Sequence, residues 1–533
     1  MSTTPSPDAR AIAEGRAVLG IELGSTRIKA VLVHRDGHVL AVGEHTWENR
    51  LVDGRWTYAE EDIWAGVQQC YAEVAADADT RHGIRPTRLA ALGVSAMMHG
   101  YLATDAAGEL LVPFRTWRNT STSQAASELT DLLGVNIPLR WSVAHLYQAI
   151  LGAEPHVAEI AGLTTLAGLV HHRLSGRHVL GVGDASGMFP IDPATKDYDA
   201  DALRRFNRLI ADRCPEMHLD ALLPKVLAAG QEAGSLSAEG AKLLDPTGTL
   251  VAGAPMCPPE GDAGTGMVAT NAVTPRTGNV SVGTSIFAMA VLEQPLRRVH
   301  HAIDIVTTPA GDPVAMVHCN NGASELDAWA ALFGELADAL GSPTARDTVF
   351  AAMLSSALGA EADAGGLVAF NYLAGEPVAG LEVGRPLFFR TPDSRLTLGS
   401  FVRAQVFGAF ATLALGMRAL ADEDVALDVL VAHGGLFRTE GVAQRLLAGA
   451  LDTPVQVGES AGEGGAWGIA VLACYLADDT NELDLGAWLD AHIFADGHAV
   501  RVTPAPADVA GFATYLSRFE AGLAVERAAA TAV

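Results

Sequence analysis

Asp262 occupies a stretch whose residue types are suited to accepting a proton. In CPPEGDAGTGMVATN (Cys257–Asn271), two prolines and a glycine precede it, and a segment able to open a helix follows. A carboxylate at a helix N-terminus stays ionised because the helix dipole favours negative charge there. The residue could cap this helix, as aspartate commonly does, accept a hydroxyl proton, or do both. Asp262 is therefore the candidate general base.

Two turns built from glycine and hydroxyl residues could bind phosphate. One lies in GIELGSTRIKAVLV (Gly20–Val33) and the other in RTGNVSVGTSIFAMAVLE (Arg276–Glu293), each between two β-like runs. Glycine lets backbone N–H groups converge on an anion, and the hydroxyls add donors. Neither is a GxxxxGK[ST] loop, and either alone could be an ordinary hairpin. The candidate phosphate-binding residues are Gly24, Ser25, Thr26, Arg27, Gly283, Thr284 and Ser285.

Glycines recur in a third segment, Ala432–Ala473. Gly434 and Gly435 end an apolar run, and Gly464 belongs to the glycine-rich helix start GEGGAWGIA. A flat ring such as adenine could lie against backbone from which side chains are absent. The same pattern also fits two tight strand-to-helix turns in a core.

Two polar patches are candidate substrate contacts. SAMMHGYL places Met98 and His99 after an apolar run, and FRTWRNTSTSQ places Trp117 and Asn119 in a polar loop. Ligand sites in open α/β sheets favour the carboxyl ends of strands. A single histidine is as easily a structural residue. Composition assigns no role to the turn-rich stretches 181–192 and 370–378.

The elements that must position these residues are of α/β type. AVLGIEL, IKAVLVH and HVLAVGEHTW predict three strands in an antiparallel meander. EEDIWAGVQQCYAEVAADA predicts a helix from its apolar spacing, and LAALGVSAM predicts a buried strand. The recurrence of the glycine-hydroxyl hairpin in each half of the chain predicts a duplicated domain, with the two turns facing each other across a cleft.

The chain has 533 residues, which is more than one hydrophobic core usually covers. We expect a disordered leader at 1–16, an N-terminal domain at 17–275, a C-terminal domain at 276–500 and a helical tail at 501–533.

Composition excludes several classes of function. The formal net charge of −26 opposes binding to a nucleic-acid backbone. No run of about 18 uninterrupted apolar residues exists, so we expect no membrane span. The N-terminal residues lack the pattern of a secretory signal, and the 5 cysteines are few and far apart, which fits the reducing cytoplasm.

In their order along the chain, these motifs resemble those of the FGGY family of carbohydrate kinases, in the actin/hexokinase/Hsp70-like superfamily, and within it the D-xylulose kinases. GIELGSTRIKA, MMHG, TWRN, GDASGMFPID, GDAGTG, SVGTS, NYLAGE and HGGLFRTEGVAQRLLAGALDTPV match in the family's order, from about residue 17 to about residue 500. The resemblance implies two actin-like (ribonuclease H-like) ATPase domains with a central cleft, ATP and Mg²⁺ as cofactors, and a sugar as phosphoryl acceptor. Relatives of this kind are often homodimers.

By this resemblance, Asp262 accepts the sugar hydroxyl proton as the hydroxyl attacks the γ-phosphate of ATP. The two turns would bind phosphate, and domain closure would exclude water. Gly434, Gly435 and Gly464 would line an adenosine pocket. The ketose would contact Met98, His99, Trp117, Asn119 and Asp262.

Two departures from the family pattern affect the site. The first phosphate motif normally carries Asp where this chain has Glu22, and that carboxylate is thought to hold Mg²⁺, usually through water. Because Mg²⁺ keeps several waters, a carboxylate that is one methylene longer can take the place of one bridging water. Xylulose kinases generally show Asn-Asp after the tryptophan, whereas this chain has Arg118–Asn119. One changed hydrogen-bonding partner can alter the preferred sugar.

Other readings of the sequence remain open. The acceptor could be ribulose, another ketose, a polyol or a sugar acid. A non-catalytic ATP-binding sensor would have no use for a base at Asp262. An Hsp70-like chaperone ATPase would need a substrate-binding domain, for which the remaining length leaves no room.

The role of Glu22 gives the first prediction. Glu22→Gln should abolish most turnover because it removes the charge on the metal side, whereas Glu22→Asp should retain part of it. Steady-state kinetics with Mg·ATP measure both variants. Full activity of the Gln variant would contradict the metal role.

Overall fold

The computed structural model describes residues 6–458, 464–495 and 499–532. The strands are β1 Val18–Leu23, β2 Arg27–Val33, β3 Val39–Thr46, β4 Arg50–Val52, β5 Arg55–Thr57, β6 Ala91–Ala96, β7 Leu102–Thr104, β8 Gly162–Thr164, β9 Val179–Gly181, β10 Ile191–Asp192, β11 Asp197–Tyr198, β12 Lys225–Leu227, β13 Glu260–Gly261, β14 Thr277–Val282, β15 Ile286–Val291, β16 Ile303–Thr307, β17 Pro313–Cys319, β18 Leu367–Asn371, β19 Pro386–Arg390, β20 Val429–His433, β21 Val455–Val457 and β22 Val500–Val502.

The helices are α1 Pro7–Ala13, α2 Glu60–His82, α3 Ser123–Leu133, α4 Ser142–Leu151, α5 Leu166–Ser175, α6 Val182–Ala185, α7 Ala200–Ile210, α8 Leu219–Leu222, α9 Ala238–Leu244, α10 Asp262–Ala269, α11 Ser324–Ala339, α12 Arg346–Ser356, α13 Leu398–Ala421, α14 Val442–Leu451, α15 Gly464–Leu476, α16 Leu485–His492 and α17 Pro506–Ala532. Short 3₁₀ turns lie at Pro155–Glu159, Ala357–Gly359, Ala364–Gly366, Pro377–Ala379 and Gly435–Arg438.

The chain divides into two compact units. Unit 1 comprises Met1–Thr274, Ile305–Val314 and Ala461–Asp496, and unit 2 comprises Pro275–Asp304, Ala315–Ser460 and Gly497–Val533. The prediction placed one junction at residue 275 and assigned everything from 276 to 500 to the second domain. The structure instead places two later segments in unit 1, because α15 packs there against β1.

Unit 1 is built on a five-stranded sheet of order β13-β6-β1-β2-β3. β1, β2 and β3 form the predicted antiparallel meander, which is confirmed, and β6 pairs with β1 in parallel. β13 continues the parallel pairing on the other side of β6. The carboxyl ends of β1, β6 and β13 therefore lie side by side at one edge of the sheet.

Helix α15 lies close to this sheet because glycines line the contact. A Cβ added to Gly20 on β1 would lie 2.2 Å from the carbonyl oxygen of Ala466, and one added to Gly93 on β6 would lie 2.6 Å from Ile469. The helix is apolar on nearly all sides and its residues from Gly465 to Cys474 are buried. A helix of that composition belongs in a core.

In unit 2 the strands β15, β14, β20, β21 and β22 lie side by side in that order in one sheet. β14 and β15 form the second predicted hairpin, which is confirmed, and β14 pairs in parallel with β20. Helix α13 passes the length and composition test for a membrane span, but 78% of its apolar window is buried within the protein. Such burial is what a core helix of unit 2 requires.

The N-terminal end differs from the prediction, whereas the C-terminal end agrees with it. The leader was expected to be disordered to residue 16, but Pro7–Ala13 form α1, where the Ser6 hydroxyl caps the Ala9 N–H and Ile12 is buried. Residues 1–5 lie outside the described residues. The tail is helical as expected, and α17 runs to Ala532 with Tyr515 and Phe519 buried.

The glycine contact between α15 and β1 gives a stability prediction. The methyl group added by Gly20→Ala would overlap backbone atoms of α15. We expect this variant to lower the free energy of unfolding by about 2 kcal/mol or more. Gly334→Ala in α11, where an added Cβ meets no described atom within 4 Å, should instead stabilise by ~0.5–1 kcal/mol. Denaturant titration compares them, and equal effects would contradict the packing argument.

Candidate active site

Three of the predicted site segments meet at the carboxyl edge of the unit 1 sheet. The first turn follows β1, Met98 and His99 follow β6, and Asp262 follows β13. Since these strands are parallel neighbours, the chain brings together residues that are far apart in sequence. This edge is where open α/β sheets place ligands.

Asp262 is the first residue of α10, and Gly261 occupies the cap position. One carboxylate oxygen, Oδ1, accepts hydrogen bonds from the N–H groups of Met98 and Ala263, each at 3.0 Å. Among the described residues, no donor contacts the other oxygen, Oδ2. The side chain is solvent-accessible. Asp262 is thus held through one carboxylate oxygen, which leaves the second free of backbone hydrogen bonds among the described residues.

The carboxylate of Glu22 belongs to the same site. Its Oε2 accepts the N–H of Ala466 at the start of α15, at 3.2 Å. Burial raises the pKa of Glu22 to about 7, with the negative charge of Asp262 acting in the same direction and Lys29 opposing it. The surrounding protein displaces part of the water around Asp262, although its side chain stays open to solvent, and this raises its pKa; hydrogen bonds from Met98 and Ala263 oppose the shift. The two carboxylates therefore repel each other in a region of limited solvation.

The first turn is fixed by the hydrogen bonds of its carbonyl groups. The Trp47 indole donates to the Gly24 carbonyl at 2.7 Å, and the Tyr58 hydroxyl donates to that of Ser25 at 2.6 Å. In a trans peptide the N–H points opposite to the C=O. The N–H groups of Ser25 and Thr26 consequently point away from the two aromatic side chains, and among the described residues neither has an acceptor. Converging N–H groups of this kind bind anions.

The two predicted sugar-loop residues lie in different surroundings. The Trp117 indole donates to the Ser25 hydroxyl at 3.2 Å, so Trp117 lies beside the first turn. Asn119 is buried, and its amide group bonds with the backbone of Trp56 and Thr116. The amide donates to both carbonyls and accepts the Trp56 N–H. This corrects the expectation that Asn119 binds sugar, since these bonds occupy both of its N–H donors.

Arg27 is also engaged within the protein. Its guanidinium pairs with Glu44 at 3.3 Å, and both side chains are exposed. An exposed pair of this kind is weak. Arg27 therefore lies beside the turn with its charge partly compensated.

His99 adopts a left-handed backbone conformation, with φ +74°, and its side chain is buried. Such a φ is uncommon outside glycine and is concentrated at functional sites. A Cβ added to Gly187 would lie 2.8 Å from Met98 and 3.0 Å from His99. The stretch 181–192, to which composition assigned no role, thus packs directly against these two residues.

In unit 2 the second turn and the Gly434–Gly435 segment are neighbours. They follow the adjacent parallel strands β14 and β20. Gly434 has φ +111°, and an added Cβ would lie 2.2 Å from the Val282 carbonyl oxygen, so this position requires glycine. Gly283 and Thr284 are exposed.

Gly464 is the exposed first residue of α15, in unit 1, and an added Cβ would meet no described atom within 4 Å. The two glycines that follow have another use. A Cβ on Gly465 would lie 2.2 Å from the Glu22 carboxylate, and one on Gly468 would lie 2.1 Å from the Thr265 carbonyl. This part of the glycine-rich helix start therefore permits close helix packing.

Sequence reasoning missed two buried carboxyl groups beside Asp262. Glu260 accepts the N–H groups of Gly183 and Asp184, at 3.3 and 2.9 Å. Asp184 accepts the Thr165 hydroxyl at 2.5 Å through Oδ2, while its Oδ1 is buried without a partner among the described residues. Burial raises the pKa of Asp184 to about 7, with Asp262 adding to the shift. Burial likewise raises the pKa of Glu260, and Asp184 adds to that shift.

Comparisons with known proteins place the chain among carbohydrate kinases. The model of the FGGY family of carbohydrate kinases, N-terminal domain, matches residues 17–256, and the model of its C-terminal domain matches residues 278–477. The chain is 28% identical over 303 residues to the xylulose kinase of Streptomyces coelicolor, covering 53% of this chain and 56% of that protein. It thus spans about half the length of the curated relatives it matches.

Solved structures are similar over the whole fold. That of xylulose kinase from Rhodospirillum rubrum has a TM-score of 0.77 at 19% identity and covers 97% of this chain and 100% of that one. That of gluconate kinase from Lactobacillus acidophilus has a TM-score of 0.77 at 18% identity, with 96% and 99% covered. These confirm the predicted fold class, with two domains of mixed α/β content.

The buried Asp184 carboxyl predicts how stability depends on pH. Its pKa is raised from 3.8 to about 7 in the folded protein. Between these values the folded state holds a proton that the unfolded state releases, so stability falls as pH rises, by at most about 1.4 kcal/mol per pH unit.

Asp184→Asn removes this group. The melting temperature of the variant should therefore rise relative to that of the parent as the pH increases from 4 to 7. Thermal unfolding across that range measures the difference, with the exposed Asp212→Asn as control. A constant difference would show that Asp184 ionises normally.

Proposed function

Because the chain belongs to the FGGY family of carbohydrate kinases, we propose that it transfers the γ-phosphoryl group of ATP to a ketopentose. D-xylulose is the first candidate, giving D-xylulose 5-phosphate. The observation that carries the proposal is the Asp262 carboxylate, held by two backbone N–H groups through one oxygen with the other oxygen accessible. A protein that only bound ATP would not need such a group.

In the proposed reaction, Oδ2 of Asp262 accepts the proton of the sugar hydroxyl. The hydroxyl oxygen forms a bond to the γ-phosphorus, and the bond from that phosphorus to the β,γ-bridging oxygen breaks, releasing ADP. An aspartate is a weak base, but phosphoryl transfer depends mainly on positioning and charge stabilisation. The raised pKa of Asp262 brings its proton affinity closer to what the step needs.

The two turns would bind the phosphates of ATP. Support comes from the first turn, where the N–H groups of Ser25 and Thr26 point away from anchored carbonyls. Gly283, Thr284 and Ser285 would do the same from unit 2. Gly434, Gly435 and Gly464 remain the proposed adenosine contacts, since bare backbone suits a flat ring.

The residues present fit a divalent cation on the Glu22 side. Two mutually repelling carboxylates, Glu22 and Asp262, would be stabilised by added positive charge. In the described part of the chain, no cluster of three or more His, Cys, Asp or Glu could hold a metal alone. A Mg²⁺ would therefore take most of its ligands from phosphate and water, as this ion commonly does. When bound, it would neutralise charge developing on the phosphates. Glu22 would hold it, directly or through water.

The sugar would contact Met98, His99, Trp117 and Asp262. The relative from Streptomyces coelicolor carries the name xylulose kinase, which supports D-xylulose. A sugar acid is the second candidate, because Arg118 directly follows Trp117 in the sugar loop and a guanidinium can pair with a carboxylate. The gluconate kinase structure with the same fold is in keeping with that option. Cytoplasmic location and a homodimer remain predictions.

Sugar-dependent ADP release from Mg·ATP tests the proposed function. The acceptors are D-xylulose, D- and L-ribulose, other ketoses, polyols and gluconate. We expect one ketose to stimulate turnover above all others. Asp262→Ala should lose ~10²–10⁴-fold, the usual cost of a general base.

Stimulation by gluconate alone would shift the substrate to a sugar acid while keeping the kinase. Failure of every acceptor, with ATP still bound, would contradict the kinase and favour an ATP-binding sensor. Undiminished activity of Asp262→Ala would be compatible with a kinase but would contradict the role of Asp262 as general base.

A further inference from the structure

A buried hydrogen-bond network in unit 2 lies directly behind the second turn. It includes residues from the stretch 370–378, to which the sequence assigned no role. Three residues between β17 and α11, here called the support segment (321–323), connect that stretch to the turn. Two side chains of the stretch 370–378, Asn371 and Glu376, hold the support segment in place and are almost fully buried, at 3% and 0% exposure.

The support segment binds the carbonyl groups of the turn. The N–H of Gly322 donates to the Thr284 carbonyl at 2.7 Å, and that of Ala323 donates to the Gly283 carbonyl at 2.8 Å. A Cβ on Gly322 would lie 2.3 Å from the Gly283 oxygen, so the two segments are as close as backbone allows.

These two bonds determine where the N–H groups of the turn point. In each trans peptide the N–H is opposite to the C=O. With the Gly283 and Thr284 carbonyls bound on the inner side, the N–H groups of Thr284 and Ser285 point outward together. Among the described residues, neither N–H has an acceptor.

The support segment is in turn held from the other side. The Asn371 amide donates to the carbonyls of Asn321 and Gly322, at 3.1 and 2.7 Å. One Glu376 oxygen accepts both the backbone N–H and the side-chain amide of Asn321, at 3.2 and 3.0 Å. Asn321 Oδ1 accepts the N–H of Ala374 at 2.9 Å. Every polar group of the Asn321 side chain is thereby used.

We infer that Asn371 and Glu376 are positioning residues for nucleotide phosphate, acting through the support segment on the N–H groups of the second turn. The inference rests on the proposed function, because it takes the turn to be a phosphate site. Neither side chain touches the ligand. Loss of either would let the support segment shift, and the outward N–H groups would no longer converge.

Nucleotide binding by the full-length protein tests this positioning role. Calorimetry compares adenosine with ATP for the parent, Asn371→Ala and Glu376→Met. Both variants should bind ATP at least about tenfold more weakly, while adenosine binding changes less than twofold. The KM for ATP should rise and the KM for the sugar should stay constant. Glu376→Gln keeps an acceptor of the same length and should restore ATP binding.

Asn320→Ala is the matched control. This asparagine precedes the support segment and donates to the Gly375 carbonyl from an exposed position, at 2.8 Å. Its loss should leave ATP binding unchanged. Equal weakening of adenosine and ATP in Asn371→Ala would mean a general structural role and would overturn the inference. If Asn371→Ala does not fold, Glu376→Met and Glu376→Gln provide the test, again by comparing the loss of ATP binding with the loss of adenosine binding.

Thr284→Pro separates this inference from the proposed function, because proline lacks the N–H. Unchanged ATP binding in Thr284→Pro would contradict the proposal that the second turn binds phosphate. Weakened binding in Thr284→Pro, with normal binding in Asn371→Ala and Glu376→Met, would overturn only the positioning role.

Discussion

The candidate site in unit 1 depends on how closely the start of α15 lies against β1. Two contacts set that distance, and each has glycine on one side: Gly20 with Ala466 and Gly465 with Glu22. A third glycine, Gly468, lets the same helix approach Thr265 of α10. A side chain at Gly20 or Gly468 would meet backbone and push the helix away, whereas one at Gly465 would meet the Glu22 carboxylate. The approach lets the Ala466 N–H reach the Glu22 carboxylate across 444 positions of sequence. The half-buried Glu22 side chain is therefore held close enough to Asp262 for the two charges to interact.

The same packing brings several carboxyl groups together, and their mutual repulsion opposes folding. Glu22, Asp184, Glu260 and Asp262 are carboxyl groups with raised pKa values in one unit. Bringing such groups together opposes folding, so the surrounding core must offset it. Perturbed groups of this kind are concentrated at functional sites. A cation accompanying a phosphate ligand would relieve part of the repulsion, which ties the stability of the site to ligand binding.

Both turns follow one principle, although different groups carry it out. In the first turn, Trp47 and Tyr58 bind the carbonyls from behind. In the second, backbone N–H groups of Gly322 and Ala323 do so. Each arrangement turns N–H groups outward. The shared geometry explains how two short, unremarkable sequences come to present similar surfaces of outward N–H groups, which is the arrangement that the proposed phosphate sites need.

Local pattern predicted much of this fold, since the meander, the second hairpin and the helix that Asp262 opens follow from periodicity and turn chemistry. It failed where distant groups decide the outcome. Asn119 reads as a loop residue suited to a ligand, but its amide is used by the backbone of Trp56. Asp184 and Glu260 carry no distinguishing spacing, and only the packing of α6 against β13 reveals them. The short α1 was missed because its seven residues are too few to show a periodic pattern, and only the packing of Ala9, Ala11 and Ile12 reveals it.

Gly465→Ala offers the most direct test of the central constraint. The added methyl would lie 2.2 Å from the Glu22 carboxylate, the movable end of a side chain, so the fold can survive while the carboxylate is displaced. We expect kcat for phosphoryl transfer to fall on the order of 10- to 100-fold, with the melting temperature nearly unchanged. Gly266→Ala in α10, where an added Cβ has no described atom within 4 Å, should keep parental turnover. Parental kcat in folded Gly465→Ala would contradict the account, because the position of Glu22 would then not matter.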